Sequence, residues 1–247
     1  MIPKVINYCW FGRNPLPESA IKCINSWKKF LPDYEIKEWN EDNFDVNIIP
    51  YTQEAYASKK YAFVSDYARF WILYNYGGLY FDTDVEIIKS IGDIVERGPF
   101  MGVEVEATSR GGNPLVNPGL GLGVNPGIGL YKELLDYYEP LHFWDKDGKP
   151  NEITIVHHTT NVLVANGLQP VNEIQYVAGI WIYPKEYFNP LNDNTGVLKI
   201  TDNTRSIHWY SKTWLRKRNP VRIWVVRIIH RFFGDNSLAW VRSLLKK

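Results

Sequence analysis

The chain has 247 residues, 45% hydrophobic and 22% charged, which is length for one domain of good size or a domain with an appendage. Its two cysteines, Cys9 and Cys23, exclude a disulfide framework and read as buried free thiols of a reducing compartment, and no uninterrupted apolar run is long enough to span a bilayer. The net charge of +1 hides an asymmetry: residues 205–247 carry 11 Lys or Arg against the single acid Asp235, leaving 17 basic and 26 acidic residues in 1–204, a body that would repel a polyanion and so excludes nucleic acid as the expected partner.

From the start, Val5 to Phe11 reads as a strand closed by Gly12, with no charged-then-apolar leader before it. Pro17 to Leu31 reads as a helix with Ile21, Ile24, Trp27 and Leu31 as its inward stripe, ended by Pro32 and Asp33. Tyr34 to Trp39 is the second expected strand, and Asn40 to Asn43 a polar loop. Tyr51 to Ser58 is a short helix leading into a longer one from Tyr61. Gly77 and Gly78 suit the end of that helix, where a left-handed residue is needed. Leu79, Tyr80 and Phe81 read as a buried strand, and Val85 to Ile88 as extended again. This alternation predicts a layered α/β domain with a mainly parallel, mixed sheet.

The stretch from Tyr61 to Ile88 concentrates the chemistry. Asp66 and Arg69, three residues apart, share a helix face. Asp82 and Asp84 follow the buried strand. Two residues apart in extended chain point the same way, so the pair is expected to present two carboxylates to one spot. Hard oxygen donors beside a diphosphate suit Mn²⁺ or Mg²⁺. An Asp-x-Asp triplet alone reads first as a solvated turn; the aromatic strand before it and the Asp-x-x-Arg helix further upstream give the functional reading its weight.

Beyond it, Phe100 to Val105 reads as a strand. Residues 111–129 carry seven glycines and three prolines and read as a shaped loop around one short strand, with Asn117 as its candidate site residue, which the resemblance given below places on the acceptor side. Leu130 to Tyr138 is a helix. His157, His158, Thr159, Thr160 and Asn161 form a polar cluster. Adjacent histidines on opposite faces of a strand are poor chelators, so core or surface roles come before hydrogen bonding to ligand hydroxyls, and metal last. Pro220 to Phe233 reads as a basic amphipathic helix with Val221, Trp224, Val225, Ile228 and Phe232 on its apolar face, followed by a second basic helix from Leu238 to Lys247. A tail of this kind over 216–247 fits an anionic membrane interface, or packing on the domain or on a second copy.

SDYARFWILYNYGGLYFDTDVE resembles the DXD block of the small bacterial sugar transferases of glycosyltransferase family 32, and is similar to the catalytic core of the large clostridial glucosylating toxins. IPKVINYCWFGRNPLP resembles the same family's first strand. The resemblance is strong over 1–90 and weak to about Trp214. It implies a GT-A nucleotide-sugar-binding domain over 1–215 and a metal-dependent hexosyltransferase, retaining in stereochemistry. Its expected donor is a nucleoside-diphosphate sugar, UDP before GDP, and its acceptor a glycan or lipid-linked oligosaccharide. The implied setting is bacterial capsule or other surface polysaccharide synthesis; the basic tail, read with it, places the expected enzyme in the cytoplasm, peripheral on the inner face of the plasma membrane.

By the same resemblance Trp10 stacks on the base, where position alone favours a core tryptophan. Asp66 and Arg69 hold the donor sugar, with Ser65 and Tyr80 beside them, Ser65 on the ribose; independently of the resemblance, the adjacent guanidinium favours an ionised Asp66. Asp82 reaches the ribose, the sugar or the metal, and Asp84 ligates the metal. His208 loosely matches the residue that completes the metal shell, and Ser211 and Trp214 those that touch the diphosphate. The region of Thr159 and Thr160 corresponds to a helix facing the acceptor, although the family's glycine-rich form of that turn is missing. Two other classes stay open: a metal-dependent nucleotidyl- or phospho-transferase, which lacks its usual phosphate-cradling glycine loop here, and a non-catalytic glycan-binding protein.

Overall fold

The computed structural model describes residues 1–211, except 109 and 152, together with 228–229. Trp214 and the expected tail helices thus lie outside the described residues, apart from 228–229. The chain order is β1 (Val5–Cys9), α1 (Glu18–Phe30), β2 (Glu35–Trp39), α2 (Pro50–Ala57), α3 (Tyr61–Tyr76), β3 (Gly78–Tyr80) and β4 (Val85–Ile87). It continues with α4 (Gly92–Arg97), β5 (Phe100–Val105), β6 (Leu115–Asn117), β7 (Leu122–Val124), α5 (Gly129–Tyr138) and α6 (Ile155–Ala165). The last described elements are β8 (Gln175–Val177), β9 (Ile180–Tyr183), α7 (Lys185–Phe188) and β10 (Ser206–His208).

Among the described residues the main sheet has eight strands in the order β2-β1-β3-β7-β5-β9-β8, with β6 paired to β5. Strands β1, β2, β3, β5 and β9 point one way, and β6, β7 and β8 the other. The mainly parallel, mixed α/β architecture is therefore the expected one. A separate antiparallel ribbon pairs β4 with β10.

The strands alternate between two cores. Ile6, Tyr8, Leu79, Phe81 and Phe100 join α1 on one face of the sheet. Cys9, Tyr80, Met101 and Val103 join α2, α3, α5 and α6 on the other. Buried alternate residues on both faces make three layers. Trp27 of α1 is fully buried and its indole N–H donates to Val85 O at 2.7 Å, which fixes the chain just after Asp84. Loss of such a side chain costs roughly 3–5 kcal/mol.

Asn7, in the middle of β1, is a polar residue built into this core. Its amide N–H group donates to Gly77 O (3.3 Å) and Leu79 O (3.1 Å), and its Oδ1 accepts from Trp39 Nε1 (2.9 Å). The helix-to-strand turn it grips needs glycine. Gly77 and Gly78 have φ of 66° and 101°, and a Cβ on Gly78 would stand 2.6 Å from Val5 O.

Four expectations are corrected. The inward stripe of α1 is Ala20, Cys23, Ile24 and Trp27, while Ile21 is exposed, because the helix is turned to seat Trp27 under Val85. Residues 82–84 form a turn closed by Val85 N–H to Asp82 O (3.0 Å) rather than extended chain. Residues 111–129 hold two strands, β6 and β7, the second inserted antiparallel between β3 and β5. His157 and His158 lie on helix α6, so one is exposed and the other buried.

Candidate active site

The C-terminal ends of β1 and β3, the N-terminal half of α3 and the exit of β10 meet on one side of the sheet. The register of β10 on β4 sets the meeting: His208 faces Val85, so its ring lies next to Asp84. His208 Nε2 is 3.2 Å from Asp84 Oδ1. The other oxygen, Asp84 Oδ2, accepts both the N–H and the hydroxyl of Ser211, each at 2.8 Å, and Asp84 O accepts Trp209 N–H at 3.0 Å. Asp84 is thereby held from three sides.

Asp82 is held from the sheet. Its N–H donates to Gly119 O (3.1 Å), and its Oδ1 accepts Tyr80 O–H (3.2 Å) and lies 3.3 Å from Arg69 Nη2. The same Nη2 donates to Asp66 Oδ1 at 3.0 Å, and Arg69 Nε donates to Ser65 O at 3.1 Å. Arg69 also lies over the Tyr80 ring, 4.9 Å from its centroid. Arg69 and Asp66 are buried; the guanidinium bridges two carboxylates and its Nη1 has no hydrogen-bond partner among the described residues.

These surroundings set the charges. Burial pushes the Asp66 carboxyl up to about 7, with Arg69 opposing and Asp82 adding. Arg69 does favour the ionised Asp66, as expected, but the burial of the carboxyl outweighs it. Burial also works against the Asp84 carboxylate, but His208 and the Ser211 donors outweigh it and hold its carboxyl well below the usual range. For His208, burial disfavours the imidazolium, and Asp84 reverses that and raises it.

One atom each from Asp82, Asp84 and His208 lies within 4.8 Å of the others. Two carboxylates and an imidazole at this separation are a donor set that Mn²⁺ or Mg²⁺ can use, so the residues fit the expected ion. The room beside them is guarded by Gly119, where an added Cβ would overlap Asp82 Oδ2.

The remaining expected residues fall around this centre in different ways. Trp10, partly buried at the end of β1, donates its indole N–H to Asn14 O (2.6 Å) and lines a surface hollow with Arg13, Asn14, Pro15, Glu38, Asn40 and Glu41. Glu41, unremarked in the sequence, shapes that hollow by accepting from Gly12 N–H (2.6 Å) and Tyr56 O–H (2.9 Å). The Ser65 hydroxyl donates back to Tyr61 O (3.2 Å).

Asn117 is buried, donates to Glu104 Oε2 (2.7 Å) and accepts from Gly119 N–H (2.6 Å). Thr160 Oγ1 accepts Val116 N–H (2.9 Å) and so ties α6 to β6, while Thr159 is fully buried. His158 packs between Tyr137 and Tyr138, with Nδ1 3.0 Å from Tyr137 Oη, the core role placed first for it.

Residues 17–101 match the family model described as a glycosyltransferase sugar-binding region containing a DXD motif. Inositol phosphoceramide mannosyltransferase 3 of Schizosaccharomyces pombe is 35% identical over 98 residues, which cover 38% of this chain and 27% of that protein. Uncharacterized glycosyltransferase L373 of Acanthamoeba polyphaga mimivirus is 33% identical over 106 residues, 40% of this chain and 42% of that protein. The chain thus spans less than half the length of these curated relatives, which are fungal and viral. Among solved structures, the PaToxG glycosyltransferase superimposes with a TM-score of 0.51 at 20% identity, covering 66% of this chain and 69% of that one. The fold is the GT-A glycosyltransferase fold.

Proposed function

We propose that this protein is a metal-dependent glycosyltransferase, a hexosyltransferase that moves a sugar from a nucleoside-diphosphate sugar to a hydroxyl of a glycan or lipid-linked oligosaccharide. The observation that carries this reading is the convergence of Asp82, Asp84 and His208 beside the buried Asp66–Arg69 pair, inside a segment that matches a DXD sugar-binding region. In this reading Asp82, Asp84 and His208 hold Mn²⁺ or Mg²⁺. The bound ion supplies Lewis-acid neutralisation of the charge on the leaving diphosphate.

The chain's own residues do the rest. Trp10 offers an aromatic face to the base above the hollow at the end of β1, and Ser65 the ribose a hydroxyl. Asp66 and Arg69 bind the sugar hydroxyls; a buried pair gives such contacts strength that exposed groups would lack. Tyr80 holds Asp82, which faces the ribose and sugar as well as the ion. Ser211 orients Asp84 and, with Trp214, reaches the diphosphate. Asn117 stands on the acceptor side, and Thr159 and Thr160, buried on α6 with Thr160 bonded to β6, serve that side as supports and not as contacts.

The reaction is retaining by family resemblance. UDP is the first expected base. Mannose nucleotides belong beside UDP-sugars in any screen, because the fungal relative is named a mannosyltransferase. The basic tail of 216–247 would seat the enzyme on an anionic membrane surface on the cytoplasmic side, in bacterial surface polysaccharide synthesis.

Calorimetric titration with a panel of UDP-, GDP- and other nucleotide sugars, with and without Mn²⁺, tests the reading. Metal-dependent binding of one nucleoside-diphosphate sugar supports it. Glycan binding indifferent to Mn²⁺, with no donor bound, would contradict it and leave a glycan-binding protein.

A further inference from the structure

The two halves of the Asp82–Asp84–His208 group come from distant parts of the chain, and one side chain outside the group touches the supports of both. Strand β5 pairs with β6 as Gly102↔Asn117 and Val103↔Val116, then skips to Val105↔Leu115. Glu104 is the extra residue of that bulge. Bulges re-aim a side chain out of the regular alternation, and this one brings the Glu104 carboxylate to two partners.

Glu104 Oε2 accepts from Asn117 Nδ2 at 2.7 Å. Asn117 Oδ1 accepts Gly119 N–H at 2.6 Å, and Gly119 O accepts Asp82 N–H at 3.1 Å. On the other side Glu104 Oε1 lies 3.5 Å from Tyr210 Oη. That hydroxyl also receives Asn189 Nδ2 at 2.6 Å, and Asn189 Nδ2 lies 3.2 Å from Glu104 O. Tyr210 lies tilted against His208 with ring centroids 4.2 Å apart, has a φ of 52°, and immediately precedes Ser211, which holds Asp84 Oδ2.

A tyrosine in the left-handed region is costly unless its surroundings fix it. Here the Tyr210 hydroxyl is fixed by Asn189 and Glu104, and the result is that Ser211 N–H and O–H both face Asp84. One carboxylate thus braces the turn under Asp82 and the chain that positions His208 and Asp84.

We infer that Glu104 is a positioning residue that sets the spacing of the Asp82–Asp84–His208 group and thereby its affinity for a divalent cation. It acts through Asn117–Gly119 on one side and Tyr210–Ser211 on the other. This rests on the proposed metal reading of that group. Supporting partners of metal ligands are commonly worth about 10–100-fold in affinity.

The test is Mn²⁺ titration of the full chain, with free Mn²⁺ read by electron paramagnetic resonance, for wild type, Glu104→Ala, Glu104→Gln, Tyr210→Phe and the Glu104→Ala/Tyr210→Phe pair. Melting of the metal-free proteins monitors folding. Glu104→Ala is expected to bind Mn²⁺ at least about tenfold more weakly. Glu104→Gln keeps an acceptor for Asn117 and recovers most of the loss. Tyr210→Phe keeps the ring on His208 and loses a few-fold, and the double variant binds no worse than Glu104→Ala, because both act in one network. Tight wild-type binding unchanged in a folded Glu104→Ala overturns the inference alone. Should Glu104→Ala not fold, wild-type affinity in Tyr210→Phe overturns it. Absence of Mn²⁺ binding by wild type overturns the metal reading, and this inference with it.

Discussion

Gly119 leaves room for Asp82 and for nothing larger. Its carbonyl accepts the Asp82 N–H at 3.1 Å, and a Cβ on it would overlap Asp82 Oδ2. Gly119→Ala must therefore displace the carboxylate from its present position beside Asp84 and His208. Because Asp82 is part-exposed and at the edge of the core, the fold should survive. The expected outcome is a fall in donor turnover on the order of 10²-fold, since small misplacements of reacting groups cost that much, with the metal-free melting temperature within a few degrees of wild type. Full turnover in Gly119→Ala would show that the Asp82 position is not needed.

Asp66 is expected to make the protein less stable as pH rises. Its folded-state value of about 7 lies above the ordinary 3.8, so the folded chain binds that proton more tightly than the unfolded one. The stabilisation is complete below the unfolded value and is lost as pH rises through the folded one. Asp66→Asn removes the titration. Its melting temperature, compared with wild type, should rise between about pH 4 and about pH 7; a constant difference would contradict the burial argument.

His158 carries the opposite sign. Burial, with His157 adding, lowers it from 6.5 to about 4, so the folded chain resists a proton that the unfolded chain takes up. Its contribution is present above 6.5 and is lost as pH falls through about 4. His158→Gln should start less stable near neutrality, because the packing against Tyr137 and Tyr138 changes, yet lose less on acidification than wild type. Parallel acid-unfolding curves for the two would contradict it.

Trp10 tests the base-binding part of the proposal. Stacking of a base on an aromatic ring is worth about 1–3 kcal/mol. Trp10→Ala should weaken donor binding by roughly 5- to 150-fold by calorimetry, with Mn²⁺ affinity unchanged because the metal group lies at a different strand end. Unchanged donor affinity would return Trp10 to a packing role against α1.

Much of the fold was legible in the chain because its signals are local. The helix from Tyr61, its glycine stop and the strand after it follow from periodicity and backbone need, and Asp66 meets Arg69 because three residues on a helix face one way. What failed depends on contacts distant in sequence. Ile21 lost its inward place because Trp27 had to reach Val85. Asp82 and Asp84 converge as expected, but through a turn held by Gly119 and Ser211. The ionisation of Asp66 depends on how deep the helix sits, which no spacing reveals. Glu104 was invisible for the same reason: a bulge in β5 aims it, and its partners lie at 117 and 210. Tyr210, flanked by residues already singled out, was the nearest available hint.

The most direct measurement compares wild type with Asp84→Asn in donor hydrolysis across UDP-, GDP- and other nucleotide sugars, with and without Mn²⁺. Asparagine keeps the shape of Asp84 and removes its charge. The account predicts slow release of one nucleoside diphosphate by wild type, dependent on Mn²⁺, and a fall on the order of 10²–10³-fold in Asp84→Asn. Equal, metal-independent release by both proteins, or none by wild type on any donor, would contradict it.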